Sequence, residues 1–371
     1  MKSLLHWSRN ESRNLHFNNC TALQMAGALV ECVPNISEGV DQSLINRIVD
    51  AARGVNGARV LSAEADADYN RTVITIAGEP KAVSQSVFQL IEEACASIDM
   101  KQHSGNHARL GAVDVCPFVP LSGVTMEECA DLAVSLAHRV SKELNLPVFL
   151  YGAAANGEER RNHSILRRGQ YEGLQARMSP EQDTIHSPLT RLPDHGPTTW
   201  SEDVARTGAI IIGARDILVA YNVNLDESDA AVSTIIGKVI RQSGPIIKNE
   251  SGERLSISGM LPRVQGMGFP LEEHGISQVS MNLQDISVTP IHVAYETIKW
   301  IADSHGIKVT GSELVGLAPL KAFTEAGKWY DPEASEDSEL ISAAVKGMGL
   351  NDISPFVAEE RIIEMALRGG E

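Results

Sequence analysis

Residues 113–151 read VDVCPFVPLSGVTMEECADLAVSLAHRVSKELNLPVFLY, and this stretch decides the fold. Its first part, residues 113–121, is mostly apolar and predicts a strand. Residues 126–144 carry apolar side chains at helical spacing, which predicts a long amphipathic helix. A second apolar run at residues 147–151 predicts another strand. Strand, helix and strand in this order are typical of sheets that are covered by helices.

The residues before this unit alternate in the same way. A short apolar run at residues 28–33 predicts a strand, and Asp41 is placed to cap a following helix. Residues 59–63 and 72–77 predict two more strands, and Pro80 begins another helix. The order β-α-β-β-α-β-α-β predicts an α/β (α+β) sandwich of the ferredoxin-like type, with helices on the outer face of each sheet.

A second unit of similar build follows a proline-containing stretch at residues 174–202, which predicts a linker or surface loop. We therefore expect two α/β subdomains, residues 25–200 and 201–371, with a small-molecule cleft between them. Residues 1–24 lack periodicity and are expected to form a disordered extension. The second unit is predicted to contain strands at residues 209–213, 218–224, 263–269 and 278–285 and helices at residues 228–242 and 291–304.

Length and composition limit the classes of protein. A chain of 371 residues predicts about two domains. The net charge of −16 argues against a nucleic-acid binder, because the phosphate backbone requires a basic surface. We also expect no membrane partner, because no apolar run approaches the roughly 20 residues that span a bilayer. The five cysteines form no CxxC pair, which favours reduced thiols in a cytoplasmic protein.

Two loops carry side chains suited to acid–base or cation chemistry. Residues 101–120, KQHSGNHARLGAVDVCPFVP, hold His103 and His107, either of which could act near neutral pH or lie solvated in a connecting loop. Their spacing of four residues is less typical of a metal site here, because Gly105 disfavours a helix, and we expect no metal. Residues 64–71, EADADYNR, supply carboxylates that could orient an imidazolium, bind an amidine or simply form a turn.

Two further segments are weaker indications. Residues 33–39, VPNISEG, form either a plain connecting turn or a loop that presents donors to a ligand. Residues 160–168 concentrate arginines, which suit bidentate recognition of carboxylates or line a solvated helix face. An acidic protein that binds carboxylates must gather its bases locally, so we expect a positive cleft with these arginines as one source.

These segments together resemble the glutamate formimidoyltransferase family, which corresponds to the formiminotransferase domain of formimidoyltransferase-cyclodeaminase. The resemblance rests on LVECVPNISEG, DADYNRTV, GNHARLGAVDVCPFVP, PVFLYG and RRGQYEGL, in that order and spacing. It continues through DHGP, GARDILVAYNVNL, SQVSMNLQD, GSELVGLAPLKA and ISPFVAEERIIE, and so covers residues 29–364. We expect a monofunctional form without the cyclodeaminase domain.

The resemblance implies a reaction and a quaternary state. Members transfer the formimidoyl group of N-formimidoyl-L-glutamate to the position-5 nitrogen of tetrahydrofolate, their co-substrate, in histidine degradation. They are homodimers whose two α/β subdomains form the substrate cleft. Two alternatives remain open, namely a glutamate formyltransferase that uses N-formylglutamate or 5-formyltetrahydrofolate, and a catalytically silent folate-binding protein.

The resemblance also implies site residues. The catalytic histidine of the family matches His107, and Ala108 stands beside it where the family usually has proline. The segment that contacts folate begins at Gly196 and Pro197 and extends to Gly208, and here it is longer than in the family. Residue type and position in the pattern add candidate carboxylates for the imidazolium or the amidine and candidate clamps for substrate carboxylates. The former are Glu64, Asp66 and Asp68, and the latter are Arg71, Arg109 and Arg263.

Overall fold

The computed structural model describes residues 27–179, 181–249 and 251–369, so the extension expected at residues 1–24 lies outside the described residues. The strands are β1 (Leu29–Cys32), β2 (Asn35–Ile36), β3 (Ala58–Asp66), β4 (Arg71–Gly78), β5 (Val115–Ser122), β6 (Val148–Gly152), β7 (Ile210–Ala214), β8 (Val219–Leu225), β9 (Ile246–Lys248), β10 (Arg254–Ser256), β11 (Val264–Leu271), β12 (Ile276–Leu283) and β13 (Val309–Val315). The helices are α1 (Gln42–Arg53), α2 (Pro80–Ser97), α3 (Met126–Glu143), α4 (His163–Leu166), α5 (Leu174–Arg177), α6 (Pro188–Arg191), α7 (Glu202–Thr207), α8 (Ala230–Ile240), α9 (Ile291–Ser304), α10 (Leu320–Tyr330), α11 (Asp337–Gly347), α12 (Ala358–Arg361) and α13 (Ile363–Arg368).

The first sheet contains a ferredoxin-like unit. Strands β1, β3, β4 and β5 form its antiparallel part in the spatial order β3-β4-β1-β5, with α1 and α2 as the crossovers. Helices α1, α2 and α3 bury their apolar stripes against one face of this sheet, where Ile48, Val87 and Leu136 are inaccessible or nearly so. The other face of the sheet is therefore left for the rest of the molecule.

Local sequence sets the starts of these helices. Asp41 accepts hydrogen bonds from the backbone nitrogens of Ser43 and Leu44, and so caps α1. Thr125 and Glu128 form a capping box at the start of α3. The helix predicted over residues 126–144 therefore begins at Met126, directly after its N-cap residue Thr125.

Strand β7 belongs to the first sheet and not to the second subdomain, where the sequence analysis had placed residues 209–213. It lies between β5 and β6 and runs parallel to both. All five residues of β7 are buried, as is typical of a strand that is flanked on both sides and covered on both faces. The chain therefore leaves the first sheet after Ala214, and the expected boundary at residue 200 comes before its last strand.

The second sheet repeats the ferredoxin-like arrangement. Its spatial order is β11-β12-β8-β13, all antiparallel, with α8 and α9 as crossovers. The sequence analysis did not predict β13, α10 or α11, which complete this half. Helices α8 and α9 cover the outer face through Ile236 and Ile298, and α10 packs against α9. Two ferredoxin-like subdomains with helices outside are thus confirmed.

The inner faces of the two sheets approach each other. Helix α13, although it comes after the second sheet in the chain, packs against β3 and β4 of the first. Arg59 on β3 donates a hydrogen bond from Nη1 to the carbonyl of Leu367 at 2.7 Å. Across the described residues, none of the helices has the length and apolar character that a membrane span requires.

Candidate active site

A cavity of about 470 Å³ lies between the two sheets, and we call it the central cavity. The first sheet supplies most of its polar wall, and β8, β12 and the end of β13 supply the opposite wall. The expected cleft between subdomains is therefore present. The charged and aromatic side chains that line it are Glu31, Glu64, Arg71, His107, Tyr151, His163, Arg167 and Arg215.

The central cavity is elongated along the strands of the first sheet. Alternate residues of β4 face it, beginning with Arg71, and Glu64 lies opposite Val73 on the neighbouring strand. Glu31 lies opposite Ala77, which is six residues beyond Arg71 along β4 and hence about 20 Å away. The cavity thus has a His107 end, with Arg71 and Arg167, and a Glu31 end, with Arg215.

His107 is bound to an arginine. Arg71 Nη1 lies 3.1 Å from His107 Nε2, and because a guanidinium stays protonated, the ring nitrogen must be the acceptor. Burial, together with the positive charges of Arg71 and Arg167, lowers the pKa of His107 to about 4, and Asp66 partly opposes this shift. His107 is therefore neutral at neutral pH. Arg71 Nε is buried and has no hydrogen-bond partner among the described residues.

Asn70 joins three of the predicted segments. Its side chain accepts a hydrogen bond from the backbone nitrogen of Gly39 at 2.9 Å and donates to the carbonyl of Ser104 at 2.8 Å. Its own carbonyl lies 3.1 Å from His103 Nε2. Residues 33–39, 64–71 and 101–120 are consequently one assembled loop cluster around His107.

Residues 160–168, the arginine-rich segment, contact this loop cluster through Arg167. Arg167 Nη1 donates a hydrogen bond to the carbonyl of Ala108, next to His107, at 2.7 Å. The same atom lies 2.9 Å from Asp114 Oδ2, which gives an ion pair without hydrogen-bond alignment. Asp114 is buried and accepts from the backbone nitrogen of Leu110 at 2.9 Å. Burial raises the pKa of Asp114 to about 6, although Arg167 opposes the shift.

Comparison with known proteins identifies the chain. Residues 29–215 match the family model described as the formiminotransferase domain, N-terminal subdomain, and residues 220–368 match the formiminotransferase domain. The chain belongs to the formiminotransferase family. The junction between the two models falls between β7 and β8, where the chain changes sheets.

Curated relatives of two lengths share the family. The formimidoyltransferase-cyclodeaminase of Gallus gallus is 39% identical, and the match covers 92% of this chain and 60% of that protein. The glutamate formimidoyltransferase of Streptococcus pyogenes serotype M1 is 37% identical over 81% of this chain and 93% of that protein. That of Thermoplasma acidophilum is 39% identical over 82% and 92%. The chain thus spans less than two thirds of the first relative and most of the other two.

Arg109 is directed away from the central cavity of this formiminotransferase-family chain. Its guanidinium binds both carboxylate oxygens of Glu172, at 3.0 and 2.6 Å, and its Nε donates to His103 Nδ1 at 3.2 Å. Only 5% of Arg109 is exposed. The carboxylate that it clamps in this structure is therefore one of the protein's own.

Three other predicted binding residues also lie outside the cavity wall. Asp66 Oδ1 accepts from the backbone nitrogen of Tyr69 at 3.0 Å, and the carbonyl of Asp68 accepts from Asn106 at 3.3 Å. Arg263 is exposed, and its Nη2 lies 3.5 Å from Asp216. Among the three candidate carboxylates, Glu64 is the one that lines the cavity.

The glycines predicted to contact folate serve close backbone packing in this structure. Gly208 has φ +70, and a Cβ there would lie 2.4 Å from Gly111 Cα. Gly196 has φ +83, and a Cβ would lie 2.3 Å from the carbonyl of Leu146. Neither these residues nor Pro197 belong to the wall of the central cavity.

Sequence reasoning missed four cavity residues. Glu31 is buried, accepts no hydrogen bond from the described residues, and has its pKa raised by burial to about 7. A lone carboxylate in the apolar run of residues 28–33 was the signal that could have found it. Burial lowers the pKa of His163 to about 4, and its ring meets the edge of Tyr151 at 5.6 Å between centroids. Arg215 is the fourth of these cavity residues.

Several features bear on other ligands. Within the described ranges, no three His, Cys, Asp or Glu residues are grouped as a metal site would require. The expected positive cleft draws on Arg167, but Arg160 lies elsewhere, buried against Asp194 and the carbonyl of Leu189. The arginines that line the cavity are Arg71, Arg167 and Arg215, against two carboxyl groups.

Proposed function

We propose that this protein transfers the formimidoyl group of N-formimidoyl-L-glutamate to the position-5 nitrogen of tetrahydrofolate, giving 5-formimidoyltetrahydrofolate and L-glutamate. The observation that carries the proposal is a neutral His107 at one end of the central cavity, bound to a cavity arginine. The names of the relatives from Streptococcus pyogenes and Thermoplasma acidophilum support the same activity. Tetrahydrofolate is a co-substrate, and no metal enters the reaction proposed here.

The donor carries two carboxylates and a cationic amidine, and the His107 end offers a partner for each charge. Arg71 lines this end and can bind a donor carboxylate through its guanidinium, and Arg167 lines the same end. Glu64 faces the same space and suits the amidinium. When a carboxylate engages Arg71, the positive charge near His107 is offset, and its pKa rises toward the range useful for proton transfer.

His107 then acts first as a base and next as an acid. The folate nitrogen attacks the formimidoyl carbon and loses its proton to His107, leaving a tetrahedral carbon with three nitrogens. The imidazolium returns this proton to the glutamate nitrogen as the bond between that nitrogen and the carbon breaks. The leaving nitrogen keeps the electron pair and departs as an amine. Such proton transfer contributes about 10²–10⁴-fold, and holding both substrates in one cavity adds to it.

The test compares donors. Purified protein is incubated with tetrahydrofolate and either N-formimidoyl-L-glutamate or N-formyl-L-glutamate, and the folate products are separated by mass. We expect the formimidoyl donor to react and Glu64→Gln to lower its kcat/KM about tenfold or more, because an amidinium loses its counter-charge. The formyl donor is uncharged at this group and so should be little affected by Glu64→Gln. A faster reaction with the formyl donor, or folate binding without turnover, would contradict the proposal.

We further propose a cytoplasmic homodimer. Free thiols support the compartment, since Cys32 and Cys116 have sulfurs 3.5 Å apart without a bond between them. Trp300 on α9 and Trp329 on α10, which are 66% and 62% exposed, support an interface on the outer face of the second sheet. Light scattering of the eluted protein, with Trp300→Glu as the comparison, tests the dimer. A wild-type monomer would contradict it.

A further inference from the structure

The Glu31 end of the central cavity holds a carboxyl group, Glu31, and a guanidinium, Arg215, that the proposed transfer reaction does not use. Glu31 on β1 is 6% exposed, faces the cavity and accepts no hydrogen bond from the described residues. Arg215 follows β7, and its backbone nitrogen donates to the carbonyl of Phe118, adjacent to the partner of Glu31 across β5. The two side chains therefore lie at the same level of the sheet.

This end is remote from the chemistry. Glu31 lies opposite Ala77, which is six residues, or about 20 Å, along the sheet from the backbone of Arg71, and neither Arg71 nor His107 is among the charged groups that shift the pKa of Glu31. No proton can pass directly between Glu31 and a group held at His107, since direct transfer requires hydrogen-bond contact. The Glu31 carboxyl group opens onto the cavity and has no hydrogen-bond partner among the described residues, so a ligand group can bind it at this end.

We propose that Glu31 and Arg215 form a subsite for the glutamate carboxylates of tetrahydrofolate, and that Glu31 takes up a proton when they bind. The proposal rests on the proposed function, which places the reacting folate nitrogen at the His107 end. Folate is elongated, with this nitrogen in the ring at one end and the carboxylates at the other. The guanidinium would bind a carboxylate, and a protonated Glu31 would donate a hydrogen bond to it.

The charges around Glu31 make proton uptake reasonable near neutral pH. The pKa of Glu31 is raised to about 7, chiefly by burial; Arg215 opposes this shift, and Glu364 on α13 adds to it. Cys32, the next residue of β1, is an uncharged thiol at this pH because burial raises its pKa well above the usual range. A bound carboxylate offsets Arg215, so the pKa of Glu31 rises on binding. Above pH 7, a charged Glu31 repels the ligand.

The kinetic test compares two acceptors, tetrahydrofolate and a tetrahydropterin that keeps the reacting ring but lacks the tail. With saturating donor, we expect the wild-type KM for tetrahydrofolate to rise above pH 7 by up to about tenfold per pH unit. Glu31→Gln should remove this rise, because its amide donates a hydrogen bond at every pH. Arg215→Gln should raise the KM for tetrahydrofolate about tenfold or more without changing that for the tetrahydropterin. Glu143→Gln, on the outer surface of α3, is the matched control.

A binding measurement separates this proposal from the proposed function. Calorimetry at pH 7.5 in buffers of different ionisation enthalpy counts the protons taken up when tetrahydrofolate binds. We expect uptake by the wild type and none by Glu31→Gln. Turnover without uptake, or a pH-dependent KM that persists in Glu31→Gln, would overturn the subsite alone. Equal effects on the tail-free acceptor would also overturn it, because Glu31 would then recognise the ring. Proton uptake without turnover would overturn the transfer reaction and leave the subsite standing.

Discussion

Arg71 donates a hydrogen bond to Nε2 of His107 at 3.1 Å, and this bond joins the proposed acid–base group to a positive charge in the cavity wall. Before the donor binds, the guanidinium occupies the ring nitrogen and helps to keep the imidazole neutral. We propose that a donor carboxylate that engages the Arg71 guanidinium competes with this bond and frees the ring nitrogen for the reacting atoms. In this proposal, substrate binding and activation of the base are coupled through one side chain.

The acid limb of the pH profile tests this coupling. The pKa of His107 is lowered to about 4, so kcat/KM for the donor should stay nearly constant from pH 8 down to about pH 5. Arg71→Gln removes one lowering charge and should move the acid limb upward, toward the ordinary histidine pKa near 6.5. It should also raise the donor KM about 10–100-fold. Arg263→Gln, at an exposed site outside the cavity, should change neither, and an unmoved limb in Arg71→Gln would contradict the coupling.

Arg167 should act as a positioning residue for the His107 loop. Arg167→Met removes the bond to the carbonyl of Ala108 and leaves Asp114 buried beside an apolar side chain. We expect a loss of about 3–5 kcal/mol in the free energy of unfolding, together with a lower kcat, because an uncompensated buried charge is costly. Adding Asp114→Asn should recover part of the stability but not the kcat. Urea unfolding and steady-state kinetics of the three variants check this, and additive losses of stability would count against the pair.

Glu31→Gln should stabilise the protein at alkaline pH. The pKa of Glu31 is about 7 in the folded state against 4.5 as its ordinary value, so the folded state keeps the proton longer. The charged form therefore costs stability that grows as pH rises from 4.5 to 7, reaching about 3 kcal/mol. Glu31→Gln should gain up to that amount at pH 8 and nothing from this source at pH 4. Denaturant midpoints at both pH values provide the measurement, with Glu143→Gln as control, and an equal gain at pH 4 would refute the shift.

Gly208 should prove structural. Gly208→Ala places a Cβ 2.4 Å from Gly111 Cα at a backbone with φ +70. Gly252→Ala also places an alanine at a positive φ, +82, but with nothing within 4 Å, so it reports a positive-φ cost of roughly 1–2 kcal/mol without crowding. We expect Gly208→Ala to lose roughly a further 1–3 kcal/mol or more, because φ +70 with ψ −144 strongly favours glycine and the Cβ would crowd Gly111. Equal thermal midpoints for the two variants would show that neither the contact with Gly111 nor the backbone conformation of Gly208 requires glycine.

The sequence predicted individual helices and strands better than it predicted which strands pair with each other. The two ferredoxin-like units follow from apolar periodicity and caps such as Asp41, which are local signals. Strand β7 was assigned to the wrong half because an apolar run does not say which strands it will join. Pairing across sheets depends on contacts that are distant in the chain.

The site residues show the same difference between local and long-range signals. His107, Arg71 and Glu64 were found because they lie in motif segments, and all three line the central cavity. Arg109 belongs to the same motif as His107, but its guanidinium forms an ion pair with Glu172, 63 residues away in the chain, and does not line the cavity. Glu31 was missed because the apolar residues of its strand are typical of a buried core. Only the position of the second sheet makes that face of the strand a cavity wall. Long-range contacts decide which charged residue of a motif meets solvent or substrate.

The most direct test of the account is the kcat of His107→Asn with N-formimidoyl-L-glutamate and tetrahydrofolate. We predict a fall of about 10²–10⁴-fold, with the donor KM and the thermal midpoint near the wild-type values, because the ring moves protons and is only half-buried. His138→Asn, on the exposed side of α3, should retain full activity. A His107→Asn enzyme whose kcat equals that of the wild type would contradict the central claim.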